Sequence, residues 1–182
     1  PSGGTATRSF AFTADGNCGE NLSAALQLID GGTSLGTLVY PIPFGAPVVV
    51  TQVFASTSSV TINTFGPALP YPSIINVAGV TGALQSVSIE LNGLTHTRVA
   101  DVNILAVGPG GETAMLVGRV GSSTASGAML TFEDTATNSL PVSGAVISGT
   151  YLPTDYNGTD VMNNPAPVRP YGTNISALAN TP

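Results

Sequence analysis

The chain holds a single histidine, His96, with Asp101 close behind it and serines throughout. An imidazole oriented by a carboxylate beside a hydroxyl is what triad hydrolysis requires, so a triad can be drawn on paper. No G-x-S-x-G nucleophile elbow accompanies it, because Val142-Ser143-Gly144 lacks the leading glycine. A paired-carboxylate glycosidase site needs two acids facing one substrate across roughly 5–10 Å. Glu133 and Asp134 are neighbours, and neighbours on a strand point to opposite faces. One histidine and one cysteine, Cys18, cannot fill a closed zinc site. Calcium is the cofactor the residue types allow, since it takes about six to eight oxygen ligands from flexible loops. Two loops offer oxygens: Asp15-Gly16-Asn17 with Glu20, and Asp155, Asn157 and Asp160 within Asp155-Tyr156-Asn157-Gly158-Thr159-Asp160. Neither follows the EF-hand pattern, and the competing reading is a turn in which Asp and Asn bond the local backbone. Gly108-Pro109-Gly110-Gly111 lacks the Lys-Ser/Thr of a phosphate loop and reads as a strand-connecting turn.

Composition limits the partners. Charged residues are 8% of the 182 against 42% hydrophobic, with net charge -6, whereas soluble domains average about 25% charged. There is no lysine, and Arg8, Arg98, Arg119 and Arg169 are the only basic residues besides His96. Four scattered arginines cannot neutralise a phosphate backbone or an anionic membrane surface, which excludes nucleic acid and lipid as partners. No apolar run reaches the ~18 residues of a spanning helix. Cys18 has no intrachain partner and reads as buried or unreactive. The opening at Pro1, without a basic-apolar leader, is that expected of a mature or trimmed product. Chance explains most of the sequons Asn21-Leu22-Ser23, Asn157-Gly158-Thr159 and Asn174-Ile175-Ser176 in a chain this rich in Asn, Ser and Thr, and they are acceptors only in a cell with the glycosylation machinery.

The elements that must position these residues are strands. Ser86–Asn92 alternates, with Val87, Ile89 and Leu91 on one face, and the pattern returns at Asp101–Ile104. These three, with Val102 and Ile104, are expected in the core. Further strand-like runs are 9–13, 35–40, 48–54, 59–63, 73–77, 113–117 and 128–132, punctuated by Gly and Pro at sandwich-like intervals. Pro41 and Pro43 around Ile42 suggest a polyproline-like edge. Leu22, Ala25, Leu26 and Ile29 fit a helical stripe ended by Gly31. Asp30-Gly31-Gly32 before Leu35–Leu38 also fits a hairpin turn, the favoured of the two. The fold class expected is all-β: a jelly-roll-like β-sandwich with additional N-terminal strands. Residues 1–58 form an N-terminal β-extension and 59–182 the sandwich, because ~58 residues without a disulfide or metal make a poor independent core.

Over about residues 60–178 a series of short motifs resembles the proprotein-convertase P-domain (P/homo B) family in its bacterial extracellular form. They are Leu94-Thr95-His96-Thr97, Ala100–Ile104, the Gly108–Gly111 turn, Leu130–Asp134, Ser148–Tyr156 and Pro170–Thr173, in the family's order. The resemblance implies a non-catalytic sandwich in which His96 and Asp101 brace a turn at the base of a strand. It also implies that Glu133-Asp134 ends a strand, that calcium can support the 155–160 loop, and that the 156–182 tail wraps the sandwich end. The family's tryptophan-bearing strand and closing hairpin have no counterpart before Asn180-Thr181-Pro182, and the chain has no Trp.

Two functions follow as expectations. The first is a non-enzymatic, secreted or cell-surface structural and interaction module that assembles as a homo-oligomer or polymer. In that scheme Ser9, Phe10, Ala11, Phe12 and Thr13 are donated as a strand to a neighbouring subunit, since open sheet edges recruit strands. The alternative is an accessory domain that stabilises a secreted subtilisin-like serine protease. A carbohydrate-binding module fits less well, because sugar platforms favour exposed aromatics and here there are five Tyr and six Phe.

Overall fold

The structure is a computed structural model that describes residues 3–5, 7–45 and 48–179. The chain divides into two compact units, Pro1–Thr51 and Gln52–Pro182.

The first unit is built on one hairpin, β1 (Asn21–Asp30) against β2 (Thr33–Pro43), antiparallel from Asn21↔Pro43 to Asp30↔Thr33. Gly31 and Gly32 make the turn with φ of 54° and 91°. Two consecutive positive φ values are the signature of a type I′ turn, whose twist suits the flanking strands. The hairpin reading of this segment therefore holds and the helical one does not. Pro41 and Pro43 lie inside β2, which as one of two strands is an edge and not a central strand. Phe44 N–H donates to the Glu20 carbonyl at 2.9 Å. By alternation the nitrogens of Pro41 and Pro43 then face away from β1, where no donor is needed. Leu22, Leu26 and Leu28 share one face with Ile42, Tyr40 and Leu38. Among the described residues of this unit none is fully buried.

The second unit is a sandwich of two three-stranded sheets. One has the order β3 (Ser88–His96), β6 (Ala125–Glu133), β7 (Gly149–Tyr151). The other runs β4 (Ile104–Val107), β5 (Thr113–Gly118), β8 (Thr154–Asp155). β7 and β8 pair in parallel with their neighbours, and the chain changes sheets between them through Leu152-Pro153. β3 and β6 carry two bulges, each beside a positive-φ glycine: Gly93 at 77° and Gly127 at 62°. The second bulge cancels the first, so the strands leave in the register in which they entered. Gly127 N–H donates to Thr95 Oγ1 at 2.9 Å across the irregular stretch, replacing a ladder bond the bulges remove.

Ala128, Leu130 and Phe132 of β6 alternate inward against Ala114, Leu116 and Val117 of β5, with Leu94, Val99, Val120, Leu140, Val146 and Ile175 completing the core. β5 is buried from Ala114 to Gly118, as its continuous apolar run demands of a strand covered on both faces. Of the five residues expected inside, Val102 is fully buried; Val87, Ile89, Leu91 and Ile104 are half-buried and pack against the cluster. Of the expected strand Asp101–Ile104 only Ile104 lies in one, and four further expected strands are not strands. Ser9–Thr13, Val48–Phe54 and Ser73–Val77 form none, and Ser59–Asn63 keeps only the bridge Thr61↔Leu69.

Candidate functional site

The strongest concentration of polar chemistry lies where β5 and β8 end. Asp155 closes β8, and Asn157 and Asp160 follow in the loop expected to hold calcium. The structure does bring the three together. Asp155 Oδ1 accepts from the backbone N–H of Asn157 at 3.1 Å and of Gly158 at 3.0 Å, and Asn157 Nδ2 donates to Asp160 Oδ1 at 2.9 Å. Two arginines supply the positive charge. Arg119 makes a two-pronged contact with Asp160, Nε to Oδ2 at 2.7 Å and Nη2 to Oδ1 at 3.1 Å. Arg169 Nη2 lies 3.5 Å from Asp155 Oδ2. Its Nε and Nη1 donate to the carbonyls of Asp160 and Gly158. Its guanidinium also sits 4.7 Å from the centre of the Tyr171 ring, within cation–π range.

This arrangement does not suit calcium. A cation here would compete with two guanidinium groups for the same carboxylates, and the Asp160 carbonyl, a natural calcium ligand, already accepts from Arg169. The oxygens converge on arginine. The Arg119 hydrogen bond holds the Asp160 carboxyl below its usual range, opposed by burial and helped by Asn103 and Asn157. Asn103 Nδ2 donates to Asp160 Oδ2 at 3.0 Å, while Asn103 Oδ1 is buried without a partner. Among the described residues no group of three or more His, Cys, Asp or Glu side chains is placed to hold a metal ion. The Asp15–Glu20 loop is a turn: Glu20 accepts from Asn17 N and Nδ2, each at 3.0 Å, and these bonds lower its pKa, the side-chain one most.

The residues of the paper triad are not coupled. His96 ends β3, and its Nδ1 lies 2.8 Å from the Arg98 carbonyl and 3.2 Å from the Arg98 nitrogen. Asp101 ends the short 3-10 turn Val99–Asp101 and pairs with Arg98 Nη1 at 2.8 Å. Imidazole and carboxylate thus hold the two ends of Arg98, not each other. Glu133 and Asp134 do not converge either. Asp134 accepts from Ile175 N at 2.9 Å, Ser176 N at 2.8 Å and Ser176 Oγ at 2.5 Å. It thereby caps the 3-10 turn Ser176–Ala179, which packs on β5. Burial raises the Asp134 pKa, but these three bonds outweigh it and the net shift is downward. Gly108–Gly111 is the β4–β5 turn, closed by Gly108 N–H to the Glu112 carbonyl at 2.8 Å.

Ser9, Phe10, Ala11, Phe12 and Thr13, the expected donor strand, are exposed, with Phe10 at 68% and Phe12 at 60%. Cys18, expected to be buried or unreactive, is exposed. Exposed Leu38, Val39, Tyr40, Val48, Val49 and Val50 extend the apolar surface of the first unit.

Two residues of the arginine cluster, Arg119 and Arg169, escaped the sequence reading. The available signal was scarcity: two of only four arginines in a chain without lysine. Comparison with protein-family models, curated proteins and solved structures finds no match to this chain. No helix among the described residues is long and apolar enough to cross a membrane.

Proposed function

We propose that this chain is a non-enzymatic structural module of an extracellular or cell-surface assembly, and that its first unit associates with further copies of itself. One observation carries the reading: no described residue of Pro1–Thr51 is fully buried, although its hairpin has a continuous apolar face. A two-stranded hairpin is marginal in water, and three or more strands or a packing partner are needed for stability. Apolar surface of this extent on a soluble protein marks an interaction site. A second copy suits the site because the only charged residue on either strand is Asp30, at the turn, so self-pairing desolvates almost no charge. The resemblance to P-domains, which are not catalytic, supports the same reading, as does the tying of His96 and Asp101 to Arg98. The charge-poor, Ser- and Thr-rich surface suits a sheath or fibre outside the cell. The jelly-roll character of the sandwich and the strand donated by Ser9–Thr13 belong to this proposal.

Light scattering over a range of concentrations tests it. The expected result is a mass that grows with concentration, is reduced in the variant L38E/Y40E, and falls to that of one chain when that variant also lacks residues 1–14. A wild-type protein that stays monomeric at every concentration overturns the reading. Deleting residues 1–14 then separates the two contacts: lost polymers with retained dimers assign polymerisation to Ser9–Thr13.

A further inference from the structure

The chain contains two Asn-Gly pairs, Asn92-Gly93 and Asn157-Gly158. This dipeptide has its own chemistry. The glycine backbone nitrogen loses its proton and attacks Cγ of the asparagine, closing a five-membered succinimide and expelling the side-chain nitrogen as ammonia. Water then opens either carbonyl. One opening leaves aspartate; the other leaves isoaspartate, with the main chain routed through Cβ and Cγ. The net change is one water in and one ammonia out, without oxidant or catalyst. Two things permit it: a glycine N–H free to ionise, and an amide free to swing over it.

The structure withholds both at Asn157. Gly158 N–H donates to Asp155 Oδ1 at 3.0 Å, which places a carboxylate against the nitrogen that must become anionic. Asn157 Nδ2 is held by Asp160 Oδ1 at 2.9 Å. Those carboxylates are in turn fixed by Arg169 and Arg119. No side chain of the described residues restrains Asn92 in this way. It lies with Gly93 in the first β3 bulge, where neither residue has a register partner in β6. Both are exposed, no side chain of the described residues bonds the Asn92 amide, and nothing lies within 4 Å of where a Gly93 Cβ would be.

We infer that Asn92 is a site of spontaneous deamidation and that the arginine–aspartate cluster protects Asn157 from the same reaction. The product matters because β3 is the outer strand of its sheet. It adds a carboxylate two residues from Glu90 on an edge, where charge discourages pairing with another strand. This inference does not depend on the assembly proposed above.

The test is peptide mapping by mass spectrometry of the full chain aged in mildly alkaline buffer, folded and in denaturant. Denatured, both asparagines should convert at similar rates, since the dipeptides are the same. Folded, Asn92 should keep converting. Asn157 should slow by about tenfold or more, the factor expected when a hydrogen bond to a charged group must first be lost. An Asn157 that converts as fast as Asn92 in the folded chain overturns the inference. So does an Asn92 that reacts only in denaturant.

Discussion

Arg119 reaches Asp160 from a backbone conformation that side chains rarely adopt, with φ of 53°, the only positive value for a non-glycine among the described residues. The left-handed region costs such a residue roughly 1–2 kcal/mol. That cost is offset where the guanidinium lands, with two hydrogen bonds of 2.7 and 3.1 Å on one carboxylate. Two-pronged arginine–carboxylate contacts are the strong class of ion pair. The pair joins the end of β5 to the loop after β8.

Replacing Asp160 with Ala removes the acceptor for Arg119, Asn103 and Asn157 together. The expected loss is about 1 kcal/mol, because Arg119 and Asn157 are exposed and water replaces their bonds, while Asn103 is part-buried. Urea denaturation measures it; a change within error would mean the cluster is solvated and idle.

Acid should destabilise the protein through the same residue and through Asp134. Both carboxyls have folded pKa values below their usual one. The native state therefore binds fewer protons than the unfolded chain at low pH. Their stabilising contribution is complete above the unfolded value of about 4 and is lost as pH falls through the folded values. Urea midpoints should drop on acidification below that point. The drop should be shallower in D160N, and an equal drop would exclude Asp160 as a contributor.

Chelation should leave the melting temperature unchanged, because arginine stands where calcium was expected. A rise on adding calcium, the mass-action signature of a ligand bound to the folded state, would show that the ion displaces Arg169.

Gly118 is the tightest point beside the cluster. A Cβ there would lie 2.5 Å from Asp155 Oδ1. Gly118→Ala must push the Asp155 carboxylate aside and should cost about 1–3 kcal/mol, as overpacking does. In the core, Phe132 is fully buried, and Phe132→Ala should cost about 3–5 kcal/mol. Half-buried Ile104→Ala should fall near the lower end of its class, about 2 kcal/mol. Equal losses at the two positions would contradict the burial pattern.

The sandwich strands and the hairpin were legible because two local signals agreed there. Asp30-Gly31-Gly32 supplies the turn that β1 and β2 need, and Val87, Ile89 and Leu91 alternate against a partner that exists. Val48–Phe54 and Ser73–Val77 have the same β-branched composition but no partner strand. β propensity expresses a fit to neighbours more than a backbone preference. The loop 155–160 was legible as a convergence of oxygens. Its counter-charge was not, because Arg119 lies 41 residues before Asp160 and Arg169, nine residues after it, turns back only when the tail packs.

The distribution of the core along the chain has a consequence for synthesis. Among the described residues the first fully buried one is Leu94, and the core is complete only with Ile175. A ribosome adding roughly 5–20 residues per second takes on the order of ten seconds to pass from one to the other. Throughout that interval the hairpin and Val48–Val50 have emerged while the sandwich cannot close. The nascent chain thus carries apolar surface that its own core cannot yet cover, and translation speed over the second half sets for how long.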